Sequence, residues 1–198
     1  ETTVSNYLTS QLECSDNDTL NVAISGSVIK TGADTIHAKS HSDVTIDNKG
    51  TISASTNQAI NMQHAVNTTV TNSGTIEATL RNAILMDGDN ADNNTINNSG
   101  TLKAGKKQVI LATNSENTTI INSGSIETTN SSNPNTGGIN YYNTSGSAIN
   151  GATITNSGTI FAYGTGIRFG TQGIATKAVN NMTITNSGTI EGGSASIV

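Results

Sequence analysis

The stretch Thr69-Val70-Thr71-Asn72-Ser73-Gly74-Thr75-Ile76-Glu77-Ala78 alternates apolar and polar residues on both sides of an Asn-Ser-Gly corner. A period of two puts alternate side chains on one face of an extended strand. The same phrase returns along the chain, with its glycine at Gly26, Gly50, Gly74, Gly100, Gly124, Gly158 and Gly188. Subtraction gives intervals of 24, 24, 26, 24, 34 and 30 residues. A period in that range marks stacked units, each too thin to bury a core alone.

Working outward from each glycine, two columns are apolar in every unit. Four residues before it stand Val22, Ile46, Val70, Ile96, Ile120, Ile154 and Ile184; two after it stand Val28, Ile52, Ile76, Leu102, Ile126, Ile160 and Ile190. A third anchor follows at Ile36, Ile60, Ile84 and Ile110, then at Ile149 (displaced by an insertion), Ile167 and Ile197. No segment carries a helical stripe, and Val, Ile and Thr suit pleated surfaces. The expected fold is all-β: a right-handed parallel β-helix of about seven coils, because crossovers between parallel strands are right-handed. Coils stacked at about 4.8 Å would make a rod on the order of 30 Å long. One domain is expected over 1–198, with a cap region at 1–20 and repeated coils over 21–198.

Asn48, Asn72, Asn98, Asn122, Asn156 and Asn186 each stand two before their glycine, on the inward parity. A lone inward amide is costly. A stack of them can donate from coil to coil, as in the amide ladders of stacked strands. The first unit has Ile24 at this position, which reads as the cap of the ladder. The outward columns are polar. Asn21, Thr45, Thr69, Thr95, Thr119, Thr153 and Thr183 form one; Ile29, Ser53, Glu77, Lys103, Glu127, Phe161 and Glu191 form another. The alternating signs of Glu77, Lys103 and Glu127 support the alignment, since opposite charges side by side across strands help slightly.

Composition narrows the function classes. A net charge of -5 and 3% aromatic residues disfavour nucleic-acid binding. No apolar run reaches the length of a membrane span. No signal peptide stands at Glu1, which is expected of a processed form or an excised fragment. Cys14, the single cysteine, is expected to be a packed or capping residue.

The repeated Thr-Ile-x-Asn-Ser-Gly-Thr-Ile string resembles the passenger domains of type V bacterial autotransporters, in particular the self-associating antigen 43 and AIDA-like group. The resemblance covers roughly residues 20 to 198. It implies a location on the bacterial surface, outer-membrane-anchored or as a secreted passenger. It also implies export through a C-terminal β-barrel, the chain's only tie to a membrane, and that barrel is not part of this sequence. The chain would then be the N-terminal or central part of a passenger. Such proteins promote cell aggregation, biofilm formation and virulence, by passenger-to-passenger contact or by attachment to a host protein or glycan.

Several residues stand out as candidate sites. An insertion near 129–147 holds Pro134, Gly137, Gly138, Tyr141 and Tyr142, and reads as a loop. Solenoid insertions often carry recognition and Tyr is a common interface anchor; the plainer reading is a variable loop whose tyrosines pack back onto the coil. Phe161 and Tyr163 lie nearby, with a second insertion near 170–181; Phe169, two after Ile167, reads as core. Binding is assigned to Tyr141, Tyr142, Phe161 and Tyr163, and to the polar ladder of Thr69, Thr95 and Thr119. Asp87, Asp89 and Asp92 form the densest acidic cluster; Ca²⁺ is weighed there against a simple turn, and no other cofactor is expected. His41 and His64 fall at similar offsets and read as surface residues. No nucleophile elbow or flanking carboxylate pair appears, so a polysaccharide lyase or hydrolase is a minor alternative. The leading expectation is an adhesin that binds its own copies on neighbouring cells through polar ladders. The alternatives are a host-receptor or glycan binder using the Tyr141/Tyr142 loop, and an inert stalk.

Overall fold

The structure, a computed structural model, describes residues 1–130, 136–144, 149–171 and 179–198. Pro134 and parts of both expected insertions lie outside the described residues. The chain winds as a parallel β-helix, with three eight-stranded sheets running along it. Each full turn adds one strand to each sheet. Thr69–Asn72 belongs to sheet 1, Thr75–Ala78 to sheet 2 and Ile84–Asp87 to sheet 3. Every strand pairing is parallel and joins a strand to its equivalent one turn away; Ile76, for example, lies beside Ile52 and Leu102.

The apolar columns fill the interior. Ile46, Val70, Ile96, Ile120 and Ile154 of sheet 1 are fully buried, as are Ile52, Ile76, Leu102, Ile126 and Ile160 of sheet 2. Each such side chain contributes roughly 1.5–3 kcal/mol. The Asn-Ser-Gly corner turns sheet 1 into sheet 2 and brings successive turns very close. A Cβ on Gly100 would overlap the carbonyl oxygen of Gly74, and the same clash recurs from rung to rung. Glycine is required there by space. At the opposite corner, entering sheet 1, backbone sign selects the residue. Asn17, Asp43, Asn67, Asn93, Asn117 and Asn181 have φ between 51 and 62°, and Gly151 has φ 79°. Asn, Asp and Gly visit that left-handed region most readily.

The asparagine ladder is continuous. Nδ2 of Asn48 donates to Oδ1 of Asn72 at 2.7 Å, and the relation repeats from Asn72 to Asn98, Asn98 to Asn122, Asn122 to Asn156 and Asn156 to Asn186. Each Nδ2 also reaches backbone oxygens, as Asn72 reaches those of Gly74 and Thr101. The first member keeps one buried acceptor, Asn48 Oδ1, without a partner.

Three expectations need correction. First, the register of the first unit shifts by two residues. Leu20 lies beside Ile46 and Val22 beside Asn48, so Val22, not Ile24, heads the ladder, and Thr19, not Asn21, starts the threonine column. Ile24 sits in the two extra residues of that corner and is 86% exposed. Residues 2–13 supply an end strand to each sheet, ahead of the seven glycine-marked units. Second, the third anchor continues through Ile139, which lies beside Ile110 and Ile167. Ile149 instead pairs with Val179 in a separate two-stranded sheet that links the two insertions. Third, Gly137–Asn143 is a seven-residue strand of sheet 3 rather than loop. Its alternation turns Tyr141 inward, where it is fully buried.

Candidate interaction faces

The three sheets give the rod three outer faces, and the parity of the strands decides what each displays. On sheet 1, Thr19, Thr45, Thr69, Thr95, Thr119, Thr153 and Thr183 stand side by side in one column. Two residues along each strand is a second column of Asn21, Asp47, Thr71, Asn97, Ile121, Thr155 and Thr185. These fourteen positions hold a single charged residue, Asp47, whose carboxylate is 2.7 Å from Lys49 Nζ. Ile121, 44% exposed, sits near the middle. Thr71, Asn97, Asn98, Ser99 and Ser123 line a shallow hollow beside it of about 100 Å³. Thr69, Thr95 and Thr119, expected as ladder residues, are therefore adjacent and half-exposed on an almost uncharged face.

Sheet 2 is charged. Glu77, Lys103 and Glu127 lie in register, with Lys103 Nζ 2.8 Å from Glu127 and Ser53 donating to Glu77 at 2.9 Å. The hydrogen bond to Glu127, with its charge, holds the Lys103 ammonium above its ordinary range. Phe161 stands in this column between Glu127 and Glu191. It meets Tyr163, 37% exposed, edge to face at 5.0 Å. That pair belongs to sheet 2 and to the turn after it.

Sheet 3 carries the tyrosines, and it separates them. Tyr141 stacks inside on Phe169, ring centres 5.5 Å apart. Burial pushes its phenol above the ordinary value, and the Thr118 side chain offsets part of that rise without a hydrogen bond of normal geometry. Tyr141 is thus a core residue and no binding anchor, whereas Phe169 packs against the core as expected. Tyr142 faces outward. Its ring lies under the Arg168 guanidinium at 5.5 Å, and its hydroxyl accepts from Asn140 Nδ2 at 3.1 Å.

The acidic cluster is spread over separate contacts. Asp87 Oδ2 accepts from Gln63, Asp92 Oδ1 from the Glu116 backbone, and the Asp89 carbonyl lies 3.1 Å from His64 Nδ1. Among the described residues no group of three or more His, Cys, Asp or Glu is placed to hold a metal. The other histidines meet acids of the preceding turn: His37 is 2.6 Å from Glu13 and His41 is 3.3 Å from Asp16. The Ser42 backbone N–H, then His41, hold the Asp16 carboxyl below its usual range. Cys14 is buried at the N-terminal end. Burial, followed by the nearby Asp18 and Glu13 charges, pushes its thiol up to about 11.

Comparison with protein-family models, characterised proteins and solved structures returns no match. The functional reading therefore rests on these faces and on the repeat itself. Two outward residues of these faces carry a signal in the strand alternation alone. Ile121 breaks the polar column of sheet 1, and its parity within Thr119–Asn122 marks it as outward. Arg168, directly after the inward Ile167, is outward by the same alternation.

Proposed function

We propose that this chain is the β-helical part of a bacterial surface adhesin, and that it acts by homotypic association through the outer face of sheet 1. The observation that carries the reading is the in-register threonine column with its nearly uncharged neighbour column. Copies with a net charge of -5 repel one another. Sheet 1 is the face on which two copies meet without opposing like charges, while hydroxyls and amides supply donors and acceptors at every rung. The constant rung spacing lets two rods engage in several registers, and Ile121 places an apolar contact near the centre.

The face is small. Eight strands at about 4.8 Å and four residues at about 3.3 Å give roughly 500 Å² per copy, or about 1,000 Å² for a pair. Stable complexes bury about 1,200 Å² or more. A single pair is therefore weak, with each hydrogen bond contributing about 1 kcal/mol. Many copies on two apposed surfaces supply the remainder through avidity.

The test uses beads densely coated with the chain. Thr69→Lys and Thr119→Lys together place ammonium groups two rungs apart, about 10 Å, on the face. Wild-type beads clump and the double variant stays dispersed, with an unchanged far-ultraviolet spectrum. Glu77→Gln on sheet 2 leaves clumping intact. Dispersed wild-type beads, or a double variant that clumps like wild type, contradict the proposal.

A further inference from the structure

We propose that Tyr142, Arg168 and the notch at Gly170, on the outer face of sheet 3, form a subsite for a carboxylated sugar: a uronic acid residue of a polysaccharide. The site is separate from the self-association face and does not depend on it. Three observations converge. Arg168 is exposed, and among the described residues no carboxylate pairs with it. The guanidinium is held over the Tyr142 ring at 5.5 Å, so its planar donor fork is oriented before any ligand arrives. Directly opposite Tyr142 on the next strand is Gly170, whose missing side chain leaves the ring edge uncovered. The nearest atom to a Cβ at that position would be Tyr142 Cδ1 at 4.0 Å.

The polar atoms around the notch fit the same class of ligand. Asn140, 2% exposed, lies beside Arg168 in register. Its Nδ2 donates to the Tyr142 hydroxyl at 3.1 Å, which leaves the phenolic proton to donate outward. Its Oδ1 is buried and has no partner. A pyranose ring offers apolar C–H groups to an aromatic wall and hydroxyls to a phenol. A planar carboxylate matches the guanidinium fork with two parallel charge-assisted hydrogen bonds. The net charge of -5 opposes any diffuse attraction of a polyanion, so binding must come from a local feature of this kind.

The experiment titrates the isotope-labelled chain with an oligogalacturonate, with the same oligomer after reduction of its carboxyl groups to alcohols, and with a sulfated neutral oligosaccharide, all followed by amide chemical shifts. The oligogalacturonate moves resonances of residues 140–143 and 168–170. The reduced oligomer binds at least about tenfold more weakly, as does Arg168→Gln toward the oligogalacturonate, from the loss of a charge-assisted bond. Arg168→Lys retains part of the affinity, the sulfated sugar binds more weakly than the uronate, and Tyr142→Ala binds neither. Bead clumping is unaffected in all three variants, so failure here is distinguishable from failure of the self-association reading. Equal binding of the reduced or the sulfated oligomer, equal affinity of Arg168→Gln, shifts confined to other parts of the rod, or no binding of the oligogalacturonate overturns the assignment.

Discussion

Asn72 Nδ2 donates to Oδ1 of Asn98 at 2.8 Å across one turn of the rod. The relation has a direction: each interior ladder amide donates towards the C-terminal rung and accepts from the N-terminal one. Interior members therefore depend on both neighbours, and end members on one.

That direction makes the cost of losing an amide depend on position. Asn98→Leu breaks both of its ladder bonds: Asn72 Nδ2 keeps the Gly74 and Thr101 carbonyls, but Asn122 Oδ1 is left buried without its partner. Two lost bonds, one of them leaving an orphaned acceptor, cost about 2–4 kcal/mol. Asn186→Ala, at the exposed last rung, costs about 1 kcal/mol or less, because Asn156 keeps the Gly158 and Thr189 carbonyls. Urea midpoints of the two variants check this. Equal shifts would mean that the ladder does not hold the rungs together.

The corner glycines are spatial requirements, so added methyl groups should separate them from glycines elsewhere. Gly100→Ala drives its Cβ into the Gly74 carbonyl and forces backbone apart, at about 3 kcal/mol or more. Gly170→Ala meets only an ordinary contact at 4.0 Å and changes stability by less than about 0.5 kcal/mol. Thermal unfolding of both variants is the measurement; a Gly100→Ala chain as stable as wild type would refute the close rung approach.

Adjacent tyrosines should behave oppositely. Tyr141→Ala empties a core site stacked on Phe169 and costs about 3–5 kcal/mol. Tyr141→Phe is neutral or stabilising, since its buried hydroxyl has no partner. Tyr142→Ala costs less, about 1–2 kcal/mol, because a half-buried ring, its cation contact and the hydrogen bond from Asn140 Nδ2 are lost but no core site is emptied. A destabilising Tyr141→Phe would show that the phenol is hydrogen-bonded after all.

Cys14 supplies a pH signature. Burial, followed by the nearby Asp18 and Glu13 charges, raises this thiol from an ordinary value of 9.0 to about 11. The folded state holds the proton more tightly. The associated stability is therefore full below the unfolded value and is lost as pH rises through about 11. Maleimide labelling at pH 8 runs about a hundredfold slower than for the unfolded chain. Equal rates would place the thiol at the surface.

Much of the fold was legible because each informative residue keeps a constant offset from its glycine. Ile76, Asn72 and Thr69 could be placed on faces by counting. The misses came where the count breaks. Two extra residues between Val22 and Gly26 moved the first rung out of step, although Leu20 offered an equally good apolar match. In the long insertion, Pro134 and the paired glycines suggested loop throughout, and they hid the alternation Ile139-x-Tyr141 of a buried strand. The left-handed Asn corner was readable as well: Asp43, Asn67, Asn93, Asn117, Gly151 and Asn181 all stand two before a column threonine. The interaction faces were harder to read. A binding residue leaves no periodic trace, and Arg168 gains meaning only once Tyr142 is known to lie on the neighbouring strand.

If copies meet through sheet 1, disulfide trapping between clumped beads should report it, using Cys14→Ala chains that carry a single new cysteine, either Thr95→Cys on sheet 1 or Lys103→Cys on sheet 2. Rapid covalent dimers are expected from the Thr95→Cys chain and few from the Lys103→Cys chain. Dimers forming at equal rates, or faster through position 103, would contradict contact through sheet 1.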